Sequence, residues 1–119
     1  MGRLLKNGEL SESTIQELVV SYLVLKGYET AIIQIYNEGY GRAKRGNGAH
    51  KLGFRKGASD LFISVASRGF NGFWLELKSK NGKLSAEQKQ FQIDQESRGY
   101  FCATAWSFEQ AKEIIDSYL

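Results

Sequence analysis

Between Ser11 and Gly27 the apolar residues Ile15, Leu18, Val19, Tyr22 and Leu23 recur at helical spacing, which predicts a helix over 12–26. Ser13 or Thr14 can cap its start, with Gln16 or Glu17 answering three residues on, and Gly27 suits its end. The period then changes. Residues 30–36 are β-branched and aromatic and read as a strand. Two further β-rich runs, 60–66 and 73–78, flank Ser67-Arg68-Gly69-Phe70-Asn71-Gly72, a connection tight enough for an antiparallel hairpin. Ser85 and Gln88 carry the signature of a capping box, which opens a helix running to about Arg98, where Gly99 stops it. Residues 100–106 form a last strand. Ser107 with Gln110 then caps a helix whose apolar stripe is Phe108, Ala111, Ile114, Ile115 and Tyr118. The order is αβββαβα, an α/β (mixed α+β) arrangement in which helices flank a central mixed sheet. Residues 1–10 show no period and read as an arm.

Composition narrows the class. A chain of 119 residues fits one domain, 1–119, and with 42% hydrophobic and 13% aromatic residues it can fill one core, so disorder is excluded as its main state. No apolar run approaches the roughly 18–20 residues of a membrane-spanning helix, and no secretory leader follows the first residues. The expectation is a soluble, intracellular, cytoplasmic protein. One cysteine, Cys102, and one histidine, His50, give neither an internal disulfide nor a zinc ligand set, so any metal must be held by oxygen.

The net charge of +3 matters less than its placement. Between residues 39 and 59 there is no acid, while Arg42, Lys44, Arg45, Lys51, Arg55 and Lys56 are cationic. Glycines punctuate this stretch, and the segment 39–57 reads as a basic loop that orders on a polyanion such as DNA. A solvated, solubilising loop is the plainer alternative.

The chemistry is expected at the hairpin. Asp60 opens its first strand and Glu76 lies near the end of its second, so pairing about Arg68 or Gly69 brings the two carboxylates together. Lys78 shares the face of Glu76, while Leu75 and Leu77 point to the other. Two facing carboxylates repel unless a cation lies between them, and oxygen ligands favour Mg²⁺, with Mn²⁺ as substitute. Taken singly, each of these residues is equally a strand-edge carboxylate or a solvated lysine.

The ordered set Gly57-Ala58-Ser59-Asp60, Glu76-Leu77-Lys78, Ser85-Ala86-Glu87-Gln88 and Arg98-Gly99-Tyr100 resembles the VRR-NUC branch of the PD-(D/E)XK nucleases over residues 11–119. Ser59 departs from the superfamily pattern, which has proline there. The resemblance implies a restriction-endonuclease-like core. It implies that Asp60, Glu76 and the Leu77 carbonyl hold Mg²⁺, that Lys78 is the catalytic lysine, and that Glu17 supplies the extra acid this family places beside the metal. Gln88 matches a glutamine that supports the site or contacts the scissile phosphate. The function so implied is a Mg²⁺-dependent, structure-specific DNA endonuclease acting on branched DNA such as four-way (Holliday) junctions, as a homodimer at home in a phage or in DNA repair. The alternative is a non-catalytic DNA-binding module of nuclease ancestry. Glu17 and Gln88 also have purely structural readings, since each can complete a capping box.

Overall fold

The computed structural model describes residues 9–35 and 55–119. Helix α1 (Glu12–Leu25) is followed by a short 3₁₀ turn (Glu29–Ala31) and strand β1 (Ile32–Gln34). Then come β2 (Leu61–Ile63), β3 (Phe73–Leu77), α2 (Ala86–Glu96), β4 (Phe101–Ala105) and α3 (Phe108–Tyr118). The sheet order is β1-β2-β3-β4, antiparallel across the first three strands and parallel between β3 and β4. This is the expected mixed sheet, with α2 making the crossover a parallel pair requires.

The core explains the boundaries. Ile15, Val19 and Leu23 of α1 and Ala111, Ile115 and Tyr118 of α3 meet Leu61, Ile63, Phe73, Leu75 and Leu77 on one face of the sheet, all essentially inaccessible. Helix α1 starts earlier than a cap at Ser13 or Thr14 would place it. Ser11 is the cap, its Oγ accepting the Thr14 N–H at 3.2 Å, which leaves Thr14 and Ile15 inside the first turn, where both are buried. The other two helices start where expected: Ser85 accepts from Gln88 N–H and Ser107 from Gln110 N–H, each at 3.1 Å. Gly27 and Gly99, at φ +93 and +89, end α1 and α2 in the left-handed region.

The strands are shorter than their β-rich runs. Thr30 lies in the 3₁₀ turn, and Tyr36 falls outside the described residues. In the hairpin, Arg68 and Gly69 both have positive φ (52 and 86), the geometry of the two-residue turn that matches strand twist. Ser67 and Phe70 close it with reciprocal backbone bonds of 3.1 and 2.8 Å. Between that bridge and the Ile63–Phe73 pair, three residues (64–66) face two (71 and 72), so β2 carries one extra residue and its ladder ends early. Among the described residues no helix is long and apolar enough to cross a membrane.

Candidate active site

Leu61 pairs with Leu75 across the hairpin, so Asp60 comes opposite Glu76 at the open end of the β2–β3 ladder. There the Asp60 side chain replaces the missing backbone acceptor, and its Oδ2 takes the Leu77 N–H at 2.7 Å. Asp60 is placed from behind by a tight approach. Gly57, at φ +89, packs so close to α2 that a Cβ would lie 2.5 Å from the Glu87 carbonyl carbon and oxygen, and Ser59 is buried. The segment before Asp60 is therefore wedged against the first turn of α2.

Glu76 and Lys78 share one face of β3, as the alternation predicts, but they are not exposed. Gln88 of α2 closes over Glu76 and the turn at Gly82 packs on the Lys78 stem, leaving Glu76 2% and Lys78 8% accessible. One carboxylate oxygen of Glu76 is well served: Oε2 accepts from Gln88 Nε2 at 3.1 Å and lies 3.9 Å from Lys78 Nζ. The other, Oε1, is buried without a hydrogen-bond partner. Burial first, then the Asp60 charge, pushes the Glu76 carboxyl up to about 9 against the opposing pull of Lys78, with smaller pushes from hydrogen bonding between the Glu76 and Asp60 carboxyls and from the Glu12 charge.

Gln88 joins both roles that its position allows. Its Oε1 accepts the Ser85 N–H at 2.8 Å and completes the capping box, and the same amide donates through Nε2 to Glu76. The structure brings Asp60, Glu76, Leu77, Lys78 and Gln88 together. It does not bring Glu17 to them. Glu17 is exposed and lines a shallow hollow with Ser13, Gln16, Val20, Ser21 and Gln34. The acid of α1 whose charge is felt at Glu76 is Glu12. Helical phase gives the reason: Glu12 stands three and seven residues before buried Ile15 and Val19, whereas Glu17 lies two residues from each and so on the far side. That signal is present in the sequence.

Of the six basic residues assigned to DNA, Arg42, Lys44, Arg45 and Lys51 lie outside the described residues, as does His50. Arg55 reaches Asp94 at 2.8 Å and stacks over the Phe91 ring at 5.3 Å, and Lys56 lies 3.7 Å from Glu87, so both fasten the end of the loop to α2. Cys102 is half-buried, with its thiol pushed up to about 12 by burial, which makes it a poor nucleophile.

Among the described residues no group of three or more His, Cys, Asp or Glu side chains gathers around a point. Two carboxylates are what Mg²⁺ ordinarily takes from a protein, the rest of its shell being water and substrate phosphate. The orphaned Glu76 Oε1 beside Asp60 fits such an ion, since a buried carboxylate oxygen without a donor is costly unless a cation meets it.

No protein-family model matches the sequence, and no curated protein matches it. A solved structure described as a VRR_NUC domain protein superposes with a TM-score of 0.78 at 21% identity, covering 92% of this chain and 88% of its own. Acid pair, lysine, capping box and strand order thus stand on a shared scaffold: the chain has the VRR-NUC fold.

Proposed function

We propose that the protein is a Mg²⁺-dependent endonuclease that hydrolyses phosphodiester bonds in DNA. The observation that carries this reading is the Glu76 carboxylate, buried beside Asp60 with one oxygen held by Gln88 and Lys78 and the other left without a partner. Asp60, Glu76 and the Leu77 carbonyl hold the ion, with Mn²⁺ able to replace Mg²⁺. When bound, the ion supplies Lewis acidity toward the phosphodiester. Lys78 places a positive charge where the phosphate gains negative charge in the transition state, and its stem is held by the parallel ladder through Lys78 N–H to Ala105 O at 2.9 Å. Gln88 keeps Glu76 turned so that Oε1 faces the ion. Arg42, Lys44, Arg45, Lys51, Arg55 and Lys56 grip the backbone, and recognition is by DNA shape rather than base sequence. The preferred substrate is branched DNA such as a four-way junction, cut by a homodimer whose two sites match a roughly two-fold substrate.

Purified protein incubated with duplex, nicked, flap and four-way-junction DNA, with and without Mg²⁺ or Mn²⁺, tests this. Metal-dependent cleavage, greatest on the junction and lost in Asp60→Ala, Glu76→Ala and Lys78→Ala, is the expected result. Binding without cleavage in either metal would make the protein a DNA-binding module and refute the enzymatic reading. Sedimentation of the free and junction-bound protein tests the dimer.

A further inference from the structure

Helix α2 lies on the site face of the sheet with few apolar contacts. Gln88, Phe91, Gln92 and Gln95 form its sheet-facing stripe, and only Phe91 among them is hydrophobic, meeting the Trp74 ring edge-on at 5.0 Å. Each glutamine instead makes a hydrogen bond with a sheet side chain. Gln88 Nε2 donates to Glu76 Oε2 at 3.1 Å, Gln92 Nε2 donates to Thr104 Oγ1 at 2.9 Å, and Gln95 Oε1 accepts from Trp74 Nε1 at 2.9 Å. Thr104 is the β4 partner of Glu76, and Trp74 stands two residues back along β3. The three bonds therefore fix α2 at two points along β3 and at one on β4, directly beside the acid.

Apolar contact is non-directional and tolerates sliding, whereas hydrogen bonds fail beyond a few tenths of an ångström or a modest rotation. A slip of α2 by one residue moves it about 1.5 Å and turns it about 100°, which breaks all three at once. Gln88 cannot correct such a slip itself, because its Oε1 is committed to the Ser85 N–H and only its NH₂ end is available to Glu76. We propose that Gln92 and Gln95 are positioning residues that index α2 along the sheet so that Gln88 meets Glu76 and leaves Oε1 for the metal. This rests on the nuclease reading of the site and adds the device that sets its geometry.

The test replaces both directional bonds by apolar contact in Gln92→Leu/Gln95→Met and keeps both in Gln95→Glu, whose carboxylate still accepts from Trp74. Two readouts are used. In metal-free protein, the Gln88 side-chain NH₂ signal, assigned by its loss in Gln88→Met, is shifted and slow to exchange in the wild type and in Gln95→Glu. In the double variant it moves to the position of a solvated glutamine. By calorimetry the Mn²⁺ dissociation constant rises about tenfold in the double variant, the lower end for residues supporting a ligand, and stays within about twofold in Gln95→Glu. The thermal midpoint of the double variant is unchanged or higher, which separates alignment from stability. A double variant, or both of its single components, with the wild-type Gln88 signal and Mn²⁺ affinity would overturn the proposal. Wild-type protein that binds no Mn²⁺ refutes the nuclease reading instead, and the Gln88 signal then decides the alignment alone.

Discussion

Glu76→Gln should stabilise the metal-free protein while abolishing cleavage. Folded Glu76 holds its proton up to about pH 9, whereas in the unfolded chain it releases it near 4.5. Between those values the folded state binds the extra proton, so stability falls as pH rises, levelling off only above the folded pKa. The slope is about 1.4 kcal/mol per pH unit, which accumulates to about 4 kcal/mol at pH 7.5 for a group this deeply buried. That is a large part of the roughly 5–15 kcal/mol that holds a domain folded. Glutamine of the same shape removes the titration. Its carbonyl can still accept from Gln88 Nε2, and its NH₂ can donate to the Asp60 carboxylate across the ladder.

Urea denaturation of wild type and Glu76→Gln in EDTA at pH 5, 7 and 9 measures the difference directly, because all other titrating groups cancel to first order. The two proteins should be nearly equal at pH 5, with the variant gaining steadily above it, by a thermal midpoint shift on the order of 10 °C at pH 7.5. Mg²⁺ should then stabilise the wild type, increasingly so towards pH 9 where the carboxylate is ionised, and leave the variant unmoved. A stability difference that stays constant from pH 5 to 9 would show that Glu76 is not held protonated. It would remove the buried acid as the reason a cation belongs there.

Glu12→Gln should raise the Mg²⁺ concentration for half-maximal cleavage several-fold, while Glu17→Ala should stay within about twofold of wild type, as outer-sphere acids at the site and away from it would; the reverse ranking in a metal titration would restore Glu17. Gly57→Ala puts a methyl 2.5 Å from the Glu87 backbone at a left-handed φ, and should cost about 2–3 kcal/mol in denaturant melts while depressing cleavage through Asp60. Neutralising Arg42, Lys44 and Arg45 together should lower the slope of log binding constant against log salt by about 0.9 for each phosphate they no longer neutralise, and an unchanged slope would take that part of the loop out of the interface.

Much of this arrangement is legible in the residues because it follows from period and turn chemistry. Two β-rich runs around Arg68-Gly69 predict that Asp60 faces Glu76, and the observed Leu61–Leu75 pairing delivers it. Caps at Ser85 and Ser107 and glycine stops at Gly27 and Gly99 are local signals and hold in the fold. The α1 acid is different: Glu17 completes a capping pattern in sequence, but Ser11 caps the helix and the inward phase selects Glu12. The burial of Glu76 and Lys78 carries no sequence signal at all. It arises because a mostly polar helix lies over Glu76 and a glycine turn over the Lys78 stem, and a stripe of glutamines has the composition of an exposed surface.

Capping and site support exclude one another only if a side chain has one useful end. A glutamine has two, and at position 88 the acceptor end serves the helix while the donor end serves the acid. The consequence is an asymmetry at Glu76 that a purely structural role does not explain. A carboxylate kept for stability would have both oxygens bonded, or would be an amide, since an unmet buried oxygen costs about 1–3 kcal/mol. Here Gln88 donates to Oε2 and the Lys78 ammonium stands 3.9 Å from it, Asp60 stands across the ladder, and Oε1 is buried without a hydrogen-bond donor. The cost carried by that oxygen is what a divalent cation can relieve, which ties an unmet group in the fold to its proposed chemistry.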